Sequence, residues 1–253
     1  MSKELNQGTN NQQALKWYKY WLPYAGLFIT WLSVHQVISF FVRLHTVDTE
    51  NVRIAERMAA ERGVGIVFAM NHTNRLLDPF FVTATSTPHY PSYPMFYVTG
   101  KMDMYQKYSS GFSKLIDNDF LFKALGSQYI RSGKRDYSKS LERHIKLLKA
   151  GQSVCIFPEG RLTPDGKIGM AHGGVGYLAI ETGSVVVPVH TTNAYKMSFW
   201  DFILRKRRVT VHYGKPMCAD NFRPLELGEK NKYQQYADII LSRVVSTVQF
   251  ANL

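Results

Sequence analysis

Apolar residues recur along this chain in two rhythms. Short dense runs alternate with longer stretches in which apolar side chains return every three or four positions. Val64 to Met70, Met95 to Thr99, Ser153 to Phe157, Ser184 to Val189 and Val209 to Tyr213 are too short for ordinary helices. Their β-branched and aromatic content predicts buried strands. Gly126 to Arg131 predicts a further short strand. Helical spacing marks residues 50–62, 113–125 and 134–149, the last with Leu141, Ile145 and Leu148 on one face. Tyr233 to Phe250 predicts a long closing helix through Tyr236, Ile239, Ile240, Val244 and Val248, and Pro79 marks a helix start. Strands alternating with helices predict a single α/β domain with a largely parallel sheet flanked by helices. The pattern leaves the strand order open.

The first 13 residues are polar, and from Leu22 to Val42 no residue is charged. Trp17, Tyr18, Tyr20, Trp21, Tyr24 and Trp31 cluster near Lys16 and Lys19, a composition suited to the headgroup zone of a bilayer. About twenty uncharged residues suffice to span hydrocarbon. Pro23, Gly26, His35 and Gln36 interrupt the run, however, and buried His and Gln are costly there. The expectation is an N-terminal membrane-associating helix that lies in the interface rather than spanning it, with a helix packed on the domain's own core as the alternative. The run starts too late and lacks the small-residue cleavage site of a signal peptide. Residues 1–45 then form a polar tail and membrane-associating helix, and 46–253 form the α/β domain.

Charge narrows the partners. The formal net charge is +12, which favours ligands carrying phosphate, on nucleic acid or on anionic lipid. The densest cluster is Arg205-Lys206-Arg207-Arg208. No zinc-finger spacing, RNA-binding aromatic signature or helix-turn-helix pattern accompanies it, so no nucleic-acid partner is expected. Two cysteines, Cys155 and Cys218, make no disulfide framework, and Cys155 falls within a predicted strand. The histidines show no metal-ligand spacing, so no metal is expected.

Chemistry-bearing residues stand where predicted strands end. His72 follows the Val64 run, in Asn71-His72-Thr73-Asn74-Arg75-Leu76-Leu77-Asp78-Pro79. An imidazole suits proton removal near neutral pH, and a carboxylate can fix its tautomer. On one continuous helix His72 and Asp78 would be turned apart, so they meet only if part of the segment is loop. The Ser153 run ends in Pro158-Glu159-Gly160-Arg161, the Gly126 run in Arg131, and the Met95 run in Gly100-Lys101. The carboxyl edge of an open α/β sheet is where ligands bind.

In order and spacing these blocks resemble the glycerolipid acyltransferase family, which includes glycerol-3-phosphate and 1-acylglycerol-3-phosphate acyltransferases. Asn71-His72 to Asp78, Gly126 to Arg131, Phe157-Pro158-Glu159-Gly160-Arg161 and Val187-Pro188-Val189 match its four blocks, over roughly residues 65–190. The first block is longer than usual, with five residues between His and Asp instead of four. The third lacks the Thr that commonly precedes its Arg, and His172-Gly173 stands where a basic pair often precedes Gly-x-x-x-Leu-Ala.

The resemblance implies transfer of a fatty acyl group from a thioester, on acyl-CoA or acyl carrier protein, to a lipid hydroxyl in phospholipid synthesis. The expected acceptor is 1-acylglycerol-3-phosphate; glycerol-3-phosphate or another lysolipid, a lipid hydrolase and a non-catalytic anionic-lipid-binding protein are the alternatives. His72 and Asp78 are the implied catalytic pair. Arg131, Glu159, Gly160, Arg161 and Lys101 are the implied substrate-binding residues: the cations for an acceptor phosphate, and Glu159 to receive a hydroxyl or orient an arginine. The thioester is a substrate, so no cofactor is implied, and the expected place is the cytoplasmic face of a membrane.

Overall fold

The computed structural model describes residues 28–29, 32–33, 36–74, 77–85, 95–100, 126–130, 136–220, 222–224 and 229–249. Its strands are β1 (His45–Val47), β2 (Ile66–Met70), β3 (Met95–Thr99), β4 (Ser127–Tyr129), β5 (Ser153–Ile156), β6 (Val185–Thr192) and β7 (Thr210–Tyr213). They form one sheet in the order β1-β7-β6-β2-β5-β3-β4. Only the β6–β7 pairing is antiparallel; β1–β7, β6–β2, β2–β5, β5–β3 and β3–β4 are all parallel. The expected α/β domain with a largely parallel sheet is therefore present.

The helices are α1 (Glu50–Arg62), α2 (Asp78–Thr85), α3 (Tyr137–Ser140), α4 (Glu142–Lys149), α5 (Gly174–Thr182), α6 (Phe199–Ile203) and α7 (Glu229–Gln249). They cover both faces of the sheet, and the two-residue period of the strands distributes the core between them. Ile66, Phe68 and Met70 of β2 join Val185, Val187 and Val189 of β6 in one buried cluster with α1 and α2. Val67, Ala69 and Val186 point the other way, into a cluster with α4, α5 and α7. Central strands with both faces covered read as unbroken apolar runs, which is why β2 and β6 were conspicuous in the sequence.

Three departures from the expected elements have local causes. The helix expected over 134–149 breaks at Leu141 (φ −106°, ψ 10°), whose side chain is buried in the α5/α7 layer. Asp136 caps the first piece by accepting from the N–H groups of Ser138 and Lys139. β6 runs past Val189 to Thr192 because His190 to Thr192 pair with β7. β1, α5 and α6 carried no predicted element; β1 and α6 are shorter than any periodicity can register.

The helix expected over 113–125 lies outside the described residues. So does most of the amino-terminal stretch, of which residues 28–29, 32–33 and 36–42 are described and helical. Ile38 and Val42 are buried against the domain core, so these last turns pack as the core-packing alternative had it. Among the described residues no helix is long and apolar enough to cross a membrane.

Gly176 sets how closely α5 crosses α7. A Cβ built on it would lie 2.1 Å from the Tyr233 carbonyl oxygen, a backbone atom that no rotamer change can move. Alanine is the better helix former by about 1 kcal/mol. Overpacking costs roughly 1–3 kcal/mol and opposes it. Gly176→Ala should therefore lower the urea midpoint despite the gain in propensity; an unchanged or raised midpoint would contradict this packing.

His144 of α4 is fully buried, with Nε2–H donating to the Gln128 carbonyl at 3.2 Å. Burial pushes its imidazole down to about 4. In the unfolded chain the group titrates near 6.5. Between those values the unfolded state holds a proton that the native state lacks, so stability falls as pH drops from about 6.5 towards 4, by about 2–3 kcal/mol. His144→Gln, which keeps a donor for the carbonyl, should flatten that part of the stability profile when unfolding is measured at pH 7 and at pH 5.

Candidate active site

β2, β3, β5 and β6 all run in the same direction, so their carboxyl ends open on one edge of the sheet. Asn71 leaves β2 there with its side chain laid along β6. Its Nδ2 donates to the Thr191 carbonyl at 3.0 Å, and its Oδ1 accepts from the Thr191 N–H at 2.8 Å. The amide thus continues the ladder by one rung and fixes where the chain departs.

His72 comes next. Its Nδ1 lies 3.0 Å from Asp78 Oδ2, and Asn71 to Asn74 lie outside any helix, so the pair meets without one continuous helix between them. Asp78 is fully buried, and the same Oδ2 accepts from the backbone N–H of Thr73 at 2.6 Å and of Asn74 at 2.7 Å. The Thr73 hydroxyl donates to Oδ1. An oxygen gathering N–H donors requires the ring atom facing it to be a donor too. Nδ1 therefore carries the hydrogen, and Nε2 keeps its lone pair. The ring stacks on Phe157 with centroids 4.0 Å apart and planes 15° from parallel. The His72 side chain retains 13% exposure, and Nε2 has no hydrogen-bond partner among the described residues. This geometry holds a base in place and leaves its basic atom available.

Glu159 holds the same residue from the other side. Its Oε1 accepts from the His72 backbone N–H at 3.0 Å, and its Oε2 from the Gly169 N–H at 2.8 Å. The carboxylate is 3% exposed. The Thr163 N–H completes the clamp by donating to the His72 carbonyl at 2.9 Å. Gly160 turns the chain at φ +63°, with the His172 ring where a Cβ would stand, and Arg161 follows it on the exposed side. Arg161 has no ion pair among the described residues. Thr163 orders the loop onward by accepting from the Gly166 N–H and donating to the Lys167 carbonyl.

The structure thus brings His72, Asp78, Glu159, Gly160 and Arg161 to one edge. Arg131 and Lys101 lie outside the described residues. Glu159 is expected to receive a substrate hydroxyl or orient an arginine, and each of its oxygens also accepts from a backbone N–H group. The sequence reading missed the parts played by Asn71, Phe157, Thr163 and Gly169. Contacts such as Glu159 to His72 join residues 87 positions apart, and no local spacing reports them. Cys155 is beneath this edge, and burial together with the nearby Asp78 charge pushes its thiol up, so it makes no thiolate nucleophile. An open groove of about 620 Å³ starts beside Gly169 and His172 and runs along Leu241 and Val245 of α7.

The model of a family described as Acyltransferase matches residues 49–192, more than half the chain and the whole segment that carries these groups. The chain belongs to the acyltransferase family. It is 41% identical over 59 residues to the chloroplastic 1-acyl-sn-glycerol-3-phosphate acyltransferase of Arabidopsis thaliana. That match spans 23% of this chain and only 17% of the plant protein's length. The fold is similar to the crystal structure of the 1-acyl-sn-glycerophosphate (LPA) acyltransferase PlsC from Thermotoga maritima, with a TM-score of 0.57 at 16% identity, over 87% of this chain and 79% of that one.

Two roles for Glu159 make opposite kinetic predictions. As a buried positioning residue, Glu159→Gln sets an amide N–H₂ against one of two backbone N–H donors and loosens His72. Displacing a reacting group by about 1 Å costs on the order of 10²-fold in rate. The expected result is a fall in kcat of that order with the acceptor KM nearly unchanged. A rise in acceptor KM at constant kcat would return Glu159 to substrate binding.

Proposed function

We propose that this protein transfers a fatty acyl group from a thioester to the free hydroxyl of 1-acylglycerol-3-phosphate, on the path to phospholipid. The observation that carries this reading is the His72–Asp78 pair, with its carboxylate wholly buried and Nε2 open at the sheet edge. Family membership supports acyl transfer, and the short match to the plant 1-acyl-sn-glycerol-3-phosphate acyltransferase supports the choice of acceptor.

His72 Nε2 takes the proton of the acceptor hydroxyl as its oxygen attacks the thioester carbonyl. The new C–O ester bond forms, the C–S bond breaks, and the imidazolium returns the proton to the leaving thiolate. Asp78 stabilises that imidazolium and keeps the ring in its tautomer, the arrangement of a serine-protease triad with the substrate hydroxyl in place of serine. The scheme uses no covalent acyl-enzyme, metal or bound cofactor; the thioester, on acyl-CoA or acyl carrier protein, is a substrate. Arg161 supplies a planar cation for the acceptor phosphate, with Arg131 and Lys101 as its proposed companions. Because the acceptor is dissolved in a bilayer, the proposed place of action is the cytoplasmic face of a membrane, with the exposed side chains ahead of and opposite the buried Ile38 and Val42, namely Phe28, Ile29, Leu32, Val37 and Phe40, as the anchor.

His72→Ala should reduce turnover of acyl-CoA and 1-acylglycerol-3-phosphate by about 10²–10⁴-fold without loss of fold. Asp78→Asn should act nearly as strongly, since its amide would face the donors of Thr73, Asn74 and the ring. Normal turnover by a folded His72→Ala protein would refute the base assignment. Arg161→Ala should raise the acceptor KM by about one to two decades, the worth of a charge-assisted contact, and leave the donor KM near its original value.

A further inference from the structure

The segment between β6 and β7 carries an exposed apolar ridge that the proposed reaction does not use. Ser198 starts α6 with a capping box, its hydroxyl accepting from the Asp201 N–H while the Asp201 carboxylate accepts from the Ser198 N–H. The cap fixes a short helix at the surface. Phe202 faces inward, stacked on Phe41 with centroids 5.0 Å apart. The remaining apolar side chains face solvent: Phe199 is 63% exposed, Trp200 65% and Leu204 56%.

The ridge extends across the Phe41–Phe202 contact to Phe40, itself 56% exposed, over whose ring the Arg205 guanidinium sits at 4.4 Å. Isolated exposed apolar residues need no explanation, but a contiguous aromatic patch does. Its rim is basic. Arg205, Lys206 and Arg208 are exposed, and the carboxylate within α6, Asp201, is already engaged by Arg207 at 3.6 Å and by the helix cap.

We propose that α6 and the Arg205–Arg208 turn form a docking element for anionic phospholipid bilayers. Trp and Phe enter the headgroup boundary while Arg and Lys meet lipid phosphate, and that pairing of chemistries distinguishes a lipid surface from an ordinary protein partner. The chain's net charge of +12 draws it towards the same surface. The element also stands at the edge that holds His72. The strand before it, β6, ends there; Asn74 Nδ2 donates to the Ala194 carbonyl, and the Tyr195 hydroxyl donates to the Pro164 carbonyl in the loop beyond Arg161. Phe202 shares its apolar cluster with Leu77 and Phe80, which flank Asp78. Docking through α6 therefore sets the His72 edge against the membrane. The purpose of this docking rests on the lipid-acyltransferase reading, whereas the binding itself is measurable without turnover.

The test uses the full chain with Trp17, Trp21 and Trp31 changed to Phe, so that Trp200 is the sole indole. With vesicles of phosphatidylcholine and phosphatidylglycerol, Trp200 emission should shift to the blue and be quenched by lipids brominated on their acyl chains. Phe199→Ser with Leu204→Ser should weaken vesicle binding by about tenfold or more, and Arg205→Glu with Lys206→Glu by a similar factor that vanishes in high salt. Both variants should keep wild-type turnover of a short-chain, water-soluble acceptor, which also shows that they fold. Vesicle binding with Trp200 unshifted and unquenched would overturn the proposal. So would a Trp200 already blue-shifted and shielded from iodide without lipid, because the ridge would then be covered by the chain's own amino-terminal residues or by a second copy. Absence of turnover in every protein, with Trp200 quenched by lipid, would instead refute the acyltransferase reading and leave the docking element standing.

Discussion

A carboxylate withdrawn completely from water must be met by donors, because an unpaired buried charge costs several kcal/mol or more. Asp78 meets this demand with the chain's own backbone, and the geometry of the site follows from how it does so. The N–H groups of Thr73 and Asn74 turn towards Oδ2, which forces the segment after β2 to curl around the carboxylate instead of continuing outward. The His72 ring is carried along and becomes the third donor to the same oxygen. The preceding N–H, that of His72 itself, points to Glu159. Three successive peptide groups thus each donate to a buried carboxylate, two to one and one to another. Such a loop has little freedom to lose when substrate arrives, which is the condition for an efficient base.

The two carboxylates are anchored in different parts of the sheet. Asp78 opens α2, packed on the face that carries α1, and Glu159 follows β5. The position of His72 depends on the register of β2 against β5 and β6. A slip of one residue would turn every side chain of β2 to the opposite face, and Asn71 would lose its paired bonds to Thr191. The register of β2 and β6 is therefore a condition of the chemistry as well as of stability.

This explains which parts of the molecule were legible in the sequence. The doubly covered strands β2, β5 and β6 and the helices α1 and α7 announce themselves through dense or periodic apolar residues. β1 and α6 do not, because three and five residues give no period, and their order comes from pairing with β7 and from packing on Phe41. In the site, the meeting of His72 with Asp78 was legible as a requirement for loop, since both lie in one segment. The task of Glu159 was not. Its charge suggested contact with substrate, and only the fold reveals that each oxygen also accepts from a distant backbone N–H.

Pro158-Glu159-Gly160-Arg161 shows how such a turn can divide opposite charges that would otherwise neutralise each other. Gly160 adopts a left-handed φ of +63°, with the His172 ring 2.9 Å from where a Cβ would be, so a side chain there would be strained by the backbone and would have to displace that ring. The reversal places Glu159 inside, at 3% exposure, and Arg161 outside. A surface ion pair between neighbours contributes little, about 0–1 kcal/mol. Separating the two groups therefore sacrifices little stability. It gives the carboxylate to the backbone of His72 and leaves Arg161 exposed, with no ion pair among the described residues. An exposed cation with no ion pair among the described residues is free to engage an anion from solution, which is the part proposed for Arg161 towards the acceptor phosphate.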